Sequence, residues 1–276
     1  MSAIETRPGR RTGVLPVPGA RLHYEVSGSG PDLVLIHGFA LDMTMWDEQV
    51  ADLESRFQVV RYDCRGFGAS APMAPGVPYA HAEDLLALLD HLGLDQVVLA
   101  GLSFGGMVAV KTALLAPGRV RGLVLLDSAV DGMPWDEPSR AGLAELARRV
   151  QAGGVAAGRD AWLAHPLFTT ARQRPDLTAQ LAAMVSRFPG QHWLGQDPHR
   201  PDPRPVLEVL DQLSMPALVI VGELDVPGFV AMSEELARRI PGARLVRVPG
   251  AGHMTSLERP AEISSELARF ASGLEG

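Results

Sequence analysis

Short apolar runs separated by stretches of helical periodicity are the feature that most limits how this 276-residue chain can fold. Asp32–Ile36 (DLVLI), Gln58–Tyr62 (QVVRY) and Arg244–Val248 are such runs, as are residues 96–100, 121–126 and 217–221. Runs of this kind suit strands covered on both faces, as in a parallel sheet. Between them, apolar residues recur at helical spacing. His81–Leu92 places Leu85, Leu86, Leu88, Leu89 and Leu92 in that pattern, and helices are also expected over 45–55, 105–115, 229–240 and Pro260–Ser272. Residues 14–17 and 21–26 predict an opening strand pair turned at Pro18-Gly19. Strand–helix alternation of this sort implies an α/β fold: a mostly parallel twisted sheet with helices on both faces.

The alternation breaks once. Residues 131–205 predict helices around 138–151, 155–164 and 175–187 and no convincing strand. Met133-Pro134 and the Pro-rich stretch 199–205 (HRPDPRP) flank this block. The expected organisation is therefore a core of residues 1–130 and 206–276 with a helical lid, 131–205, inserted above it. Apolar residues make up 46% of the chain, enough for a large core without metals or disulfides. The single cysteine, Cys64, excludes an intrachain disulfide. The net charge of -7 and the absence of a dense basic run argue against a nucleic-acid partner. The N-terminus lacks the apolar core of a signal peptide, and no run is long enough to span a bilayer, so a cytoplasmic protein is expected. The chain has no Asn, which excludes an N-glycosylation sequon, and Lys111 is its one Lys against many Arg. That bias is expected of a GC-rich bacterial coding sequence. Nothing in the sequence fixes an oligomeric state.

Residues 101–106 read GLSFGG, a G-x-S-x-G pattern centred on Ser103, between a predicted strand and a predicted helix. In that setting the Ser sits on a sharp, strained turn, and small neighbours let strand and helix approach. The hydroxyl then lies at a helix N-terminus, where backbone N–H groups favour negative charge. A serine hydroxyl is a weak nucleophile and needs a base. The order Ser, then acid, then His is the one such folds use, and GELD (222–225) followed by GAGH (250–253) supplies Asp225 and His253. Both lie just past predicted strands, where open α/β sheets place their sites. His23, His91, His165 and His199 lack this context and read as surface or core residues. Glu223 and Asp127, the latter in LLDSA, compete with Asp225 as the acid.

With these motifs in place, the chain resembles the α/β-hydrolase superfamily over nearly its full length. The matching segments are HGFALDMTMW (37–46), YDCRGFGAS (62–70), AGLSFGGM (100–107), VGELDVP (221–227) and GAGHMTSLERP (250–260). The nearest flavour is that of lidded bacterial esterases, enol-lactonases and cofactor-free haloperoxidases or perhydrolases. The resemblance implies a Ser103-His253-Asp225 triad, no cofactor or metal, and a small-molecule ester or lactone as substrate. It also implies an oxyanion hole made by the backbone N–H groups of Phe39 and Phe104. His37 is expected to brace its loop, Asp63 and Arg65 to hold a turn, and Cys64 to be a buried or loop thiol. Trp162, Trp193 and Met254 are candidate pocket residues, and Arg159 and Arg187 could meet a substrate carboxylate.

Alternatives remain on the same scaffold. A carbon–carbon bond hydrolase usually carries an Asn in the oxyanion region, which this chain lacks. A perhydrolase often reads SMGG where this chain reads SFGG. An epoxide hydrolase or dehalogenase would need Asp at position 103. A non-catalytic hydrolase-like receptor is disfavoured by an intact triad.

Overall fold

The computed structural model describes residues 6–7, 9–201 and 204–274. Among these, nine strands are found: β1 (Thr6–Arg7), β2 (Arg10–Val17), β3 (Ala20–Ser27), β4 (Asp32–Ile36), β5 (Gln58–Tyr62), β6 (Val97–Leu102), β7 (Val120–Leu126), β8 (Ala217–Gly222) and β9 (Arg244–Val248). They form one sheet in the order β1-β2-β3-β5-β4-β6-β7-β8-β9. β1, β2, β3 and β5 pair antiparallel, and every pair from β5 through β4 to β9 is parallel. The central strands are buried throughout: Leu33, Val34, Leu35, Ile36, Leu99 and Leu123–Leu126 are all covered. This is why they read as continuous apolar runs and not as alternating ones.

The helices are α1 (Asp47–Leu53), α2 (His81–Leu92), α3 (Phe104–Leu115), α4 (Glu137–Leu163), α5 (Pro175–Arg187), α6 (Pro227–Arg239), α7 (Thr255–Glu258) and α8 (Pro260–Ser272). The spans expected for β4, β5, β9, α2, α5 and α8 coincide with those observed. The helix expected over 45–55 opens instead as a tight 3₁₀ turn, Met43–Trp46. Asp42 accepts from Thr44 N at 3.0 Å and Asp63 takes Met43 N at 2.8 Å, which holds that first turn. The helices expected at 138–151 and 155–164 lie within α4 as two helices, separated by non-helical backbone at Gly154, with φ 68° and ψ −163°. Only a glycine takes that backbone without penalty. β1 and α7 carry too few residues to show a period. The boundary stretch 199–205 includes Asp202 and Pro203, which lie outside the described residues.

Chain order reverses across the sheet at β4: β5 lies on one side of it and β6 on the other. The carboxyl ends of β4 and β6 therefore flank a crevice of the kind in which open α/β sheets bind ligands. Glycines set how closely α3 sits there. A Cβ on Gly105 would lie 2.2 Å from Ile36 O, and one on Gly101 would lie 2.2 Å from the Gly105 carbonyl carbon. Both contacts are with backbone, which cannot swing away. Gly105→Ala is therefore expected to destabilise the fold by about 1–3 kcal/mol, the usual cost of overpacking. A urea unfolding midpoint equal to wild type would contradict this packing.

Candidate active site

Ser103 follows β6 and precedes α3 with φ 55° and ψ −111°. A residue with a Cβ takes such a conformation only where its surroundings hold it there. Four backbone hydrogen bonds do so. Ser103 N donates to Leu126 O at 2.8 Å, and Ser103 O accepts from Gly106 N, Met107 N and Ala129 N at 3.1, 3.2 and 3.1 Å. The side chain stands at the first turn of α3, as the GLSFGG pattern predicts. Gly106 lets α3 meet the β7 exit, since a Cβ there would lie 2.3 Å from Ser128 Oγ.

Asp225 and His253 come from the loops after β8 and β9. His253 Nδ1 lies 2.8 Å from Asp225 Oδ2, and both side chains are buried. A carboxylate can only accept, so Nδ1 carries a proton, and in the neutral ring Nε2 is then the nitrogen with the free lone pair. The other Asp225 oxygen accepts from Val226 N at 2.7 Å, which fixes the carboxylate. Phe229 packs edge-on to the imidazole at 4.3 Å between ring centroids. Ser103 and His253 line one small cavity together with Phe39, Trp162 and Met254. A Cβ on Gly222 would lie 2.2 Å from Gly252 O, so the two loops meet only because Gly222 has none.

The competing acids have other positions. Glu223 is exposed just past the end of β8. Asp127 is fully buried, with φ 43°, and its carboxylate is already spent. Oδ1 accepts from Gly222 N at 2.9 Å and Oδ2 from the Thr255 hydroxyl at 2.5 Å. Burial, reinforced by the charge of Asp225, pushes the Asp127 carboxyl well above the ordinary carboxylate range. Asp127 thus ties the end of β8, next to the Asp225 loop, to the start of α7. Glu258 does the same for the His253 loop: its oxygens accept from Gly252 N at 2.8 Å and Met254 N at 3.3 Å. Thr255 and Glu258 escaped the sequence reading. The T-x-x-E spacing of a capping box was available as a signal, although here the two side chains brace the loop around His253 and not each other.

The loop after β4 is held from several sides. His37 Nδ1 bonds Gly38 O at 2.8 Å, and its Nε2 accepts from Cys64 N at 2.9 Å. Burial lowers the His37 pKa, in keeping with a neutral ring that accepts. Asp63 accepts from Met43 N and Ala69 N at 2.8 and 2.7 Å. Arg65 forms a paired contact with Asp84 at 2.8 and 2.7 Å, fastening this turn to α2. Cys64 is completely buried, and burial drives its thiol far above the usual range, which leaves it inert. Ala40 has φ 59° beside Phe39. Among the described residues, neither Phe39 N–H nor Phe104 N–H has an acceptor.

Beside Ser103 lies a cavity of about 390 Å³, lined by Phe39, Phe104, Trp135, Trp162, Trp193 and Met232 among others. Leu143, Leu146 and Trp162 of α4 form part of its wall. Asp131 is the charged residue in that lining. Trp162 and Trp193 line this cavity, and Met254 lines the smaller one. The two arginines do not. Arg159 donates to Phe188 O at 3.1 and 2.6 Å, and Arg187 pairs with Asp42 at 2.7 Å. His165 is a buried structural residue, with Nε2 3.1 Å from Ser139 O.

A sequence profile described as the alpha/beta hydrolase fold matches residues 31–260. The chain belongs to the α/β-hydrolase family. It is similar to a pimeloyl-[acyl-carrier protein] methyl ester esterase of Nitrosomonas europaea, 31% identical over 270 residues, covering 89% of this chain and 98% of the relative. A solved thermophilic esterase from Thermogutta terrifontis is 32% identical with a TM-score of 0.79, covering 97% of this chain and 99% of that one. The enol-lactonase from Burkholderia xenovorans is 29% identical with a TM-score of 0.79, covering 94% and 100%. Among the described residues, no helix is long and apolar enough to cross a membrane.

The two carboxylates should separate cleanly by mutation. Asp225→Asn removes the acceptor that sets the His253 tautomer, a change that costs about 10⁴-fold in kcat in serine proteases. Asp127→Asn keeps an acceptor for Gly222 N and is expected to stay within about tenfold of wild type, at the scale of one weakened neutral hydrogen bond. Steady-state ester hydrolysis by both variants checks this, and the reverse ranking would move the acid to Asp127.

Proposed function

We propose that the protein is a serine hydrolase that cleaves a small to medium, uncharged carboxylic ester or lactone through an acyl-enzyme on Ser103. The observation that carries this reading is the His253 Nδ1–Asp225 Oδ2 bond of 2.8 Å behind a cavity that His253 shares with Ser103. In this reading His253 Nε2 takes the Ser103 proton as Oγ attacks the carbonyl carbon. Asp225 holds the tautomer and stabilises the imidazolium that forms. The unpartnered N–H groups of Phe39 and Phe104 receive the oxyanion, each worth about 3–4 kcal/mol in comparable sites. The imidazolium then protonates the departing alkoxide, and a water activated by the same nitrogen hydrolyses the acyl-enzyme. Segment 131–205 acts as a lid that excludes bulk water from this step.

The substrate class follows from the cavity wall. Its volume of about 390 Å³ suits a small ligand, and its lining is aromatic and aliphatic. Apolar walls gain about 25 cal/mol per Å² of apolar surface buried, whereas an unpaired carboxylate is costly to desolvate. Asp131 would repel an anionic group, and Arg159 and Arg187 are committed to Phe188 O and Asp42. The esterase and enol-lactonase names of the relatives agree with ester chemistry.

Two measurements test the reading. Ser103→Ala is expected to fold normally and lose at least about 10⁴-fold in kcat. In a series of neutral esters, kcat/KM should rise by up to about fourfold per added methylene until the cavity is full, the equivalent of about 0.8 kcal/mol each. ω-Carboxylate analogues should be poorer at every length. Wild-type rates in Ser103→Ala, or a preference for the carboxylates, would overturn it.

A further inference from the structure

Near the start of segment 131–205, one carboxylate caps two helices. Asp136 is the N-cap of α4, and its Oδ1 accepts from Ser139 N at 2.9 Å. Its Oδ2 accepts from Gly228 N at 2.8 Å, in the first turn of α6 and 92 positions away. α6 has no cap of its own. Its N-cap residue is Val226, whose side chain offers no acceptor, and Pro227 has no N–H to satisfy. Gly228 is therefore the first α6 residue with an N–H, and Asp136 supplies the acceptor. The approach needs a glycine, since a Cβ on Gly228 would collide with Asp136 Oδ2.

The residue after Gly228 is Phe229, which is buried between two rings. Trp135 packs edge-on to it at 5.2 Å between centroids, and the His253 imidazole packs edge-on to it at 4.3 Å. Trp135 and Asp136 thus hold the start of α6 together, one through the Phe229 ring and one through the Gly228 backbone. Asp136 itself is absent from the walls of both cavities beside Ser103. The bond of 2.8 Å from His253 Nδ1 to Asp225 Oδ2 fixes one atom of the imidazole. A ring held at one atom can still pivot about that bond, and a small misplacement at a reacting centre costs up to about 10²-fold in rate.

We propose that Asp136 is a positioning residue for His253. By capping α6 it sets Phe229, and Phe229 blocks the pivot of the imidazole, so that Nε2 stays directed at Ser103. The inference rests on the serine-hydrolase reading above. Because Asp136 acts through Phe229 and does not line the cavities, its loss falls on kcat and spares KM.

The test uses the purified full chain and ethyl butyrate as substrate, with active sites counted by a fluorophosphonate ester so that kcat refers only to folded protein. Asp136→Ser keeps a hydroxyl that caps α4 through Ser139 N and is too short to reach Gly228 N. It should lower kcat per site about tenfold, the scale of one lost hydrogen bond to a charged group, with KM within about twofold of wild type. A residue that only supported the fold would lower the urea midpoint and the number of titrated sites, and leave kcat per site unchanged. Phe229→Leu should also lower kcat about tenfold, and the double variant should fall little further, because both changes break one chain of contacts. A kcat per site within about twofold of wild type in Asp136→Ser, or a double variant lower by the full product of about a hundredfold, would overturn this role and leave the triad intact. A wild type that cleaves no ester and takes no label would overturn both.

Discussion

The backbone of Ser103, held at φ 55°, is the constraint on which the rest of the site depends. Such a conformation costs about 1–3 kcal/mol and persists only where neighbours over-determine it. Here the bonds to Leu126 O, Gly106 N, Met107 N and Ala129 N share that role. They knit β6, α3 and the exit of β7 into one unit, so the turn cannot relax without breaking the centre of the sheet. The consequence is a hydroxyl raised at a helix N-terminus, with the Phe104 N–H beside it. Relief of the turn would lower the energy of Ser103 and remove the geometry that gives it chemistry.

Asp225 and His253, the proposed acid and base, obey a related logic. Each leaves the sheet on a loop, and a loop alone would not keep Asp225 and His253 within 2.8 Å of one another. Two buried carboxylates supply the rigidity. Asp127 links Gly222 N to the Thr255 hydroxyl, and Glu258 gathers Gly252 N and Met254 N. Burial raises the pKa of both groups, so the arrangement carries an electrostatic cost that these hydrogen bonds offset. A carboxylate at the end of β7 therefore reads in the sequence as a rival acid, while in three dimensions it is a strut.

Much of this was legible in the chain. The buried strands announced themselves as apolar runs because both faces are covered, and the exits of β6, β8 and β9 marked Ser103, Asp225 and His253 as the candidate triad. Trp162 and Trp193 were legible as aromatic residues in an inserted helical segment, and both line the cavity beside Ser103. What escaped were contacts between residues distant in sequence. Thr255 meets Asp127 across 128 positions, and Arg187 reaches Asp42 across 145, which no local pattern encodes. Asp136 also gave no sign of its second contact, since Gly228 lies 92 positions further on. The two helical signals at 138–151 and 155–164 meet at Gly154, whose φ of 68° and ψ of −163° interrupt the helix between them.

The central claim is that one strained serine forms the covalent intermediate. Treating the protein with a fluorophosphonate ester and recording its intact mass, followed by peptide mapping, tests this most directly. The account predicts a single adduct, carried on Ser103, with loss of esterase activity in proportion to labelling. An adduct on another residue that tracks the loss of activity, or full activity in protein fully labelled at Ser103, would contradict it.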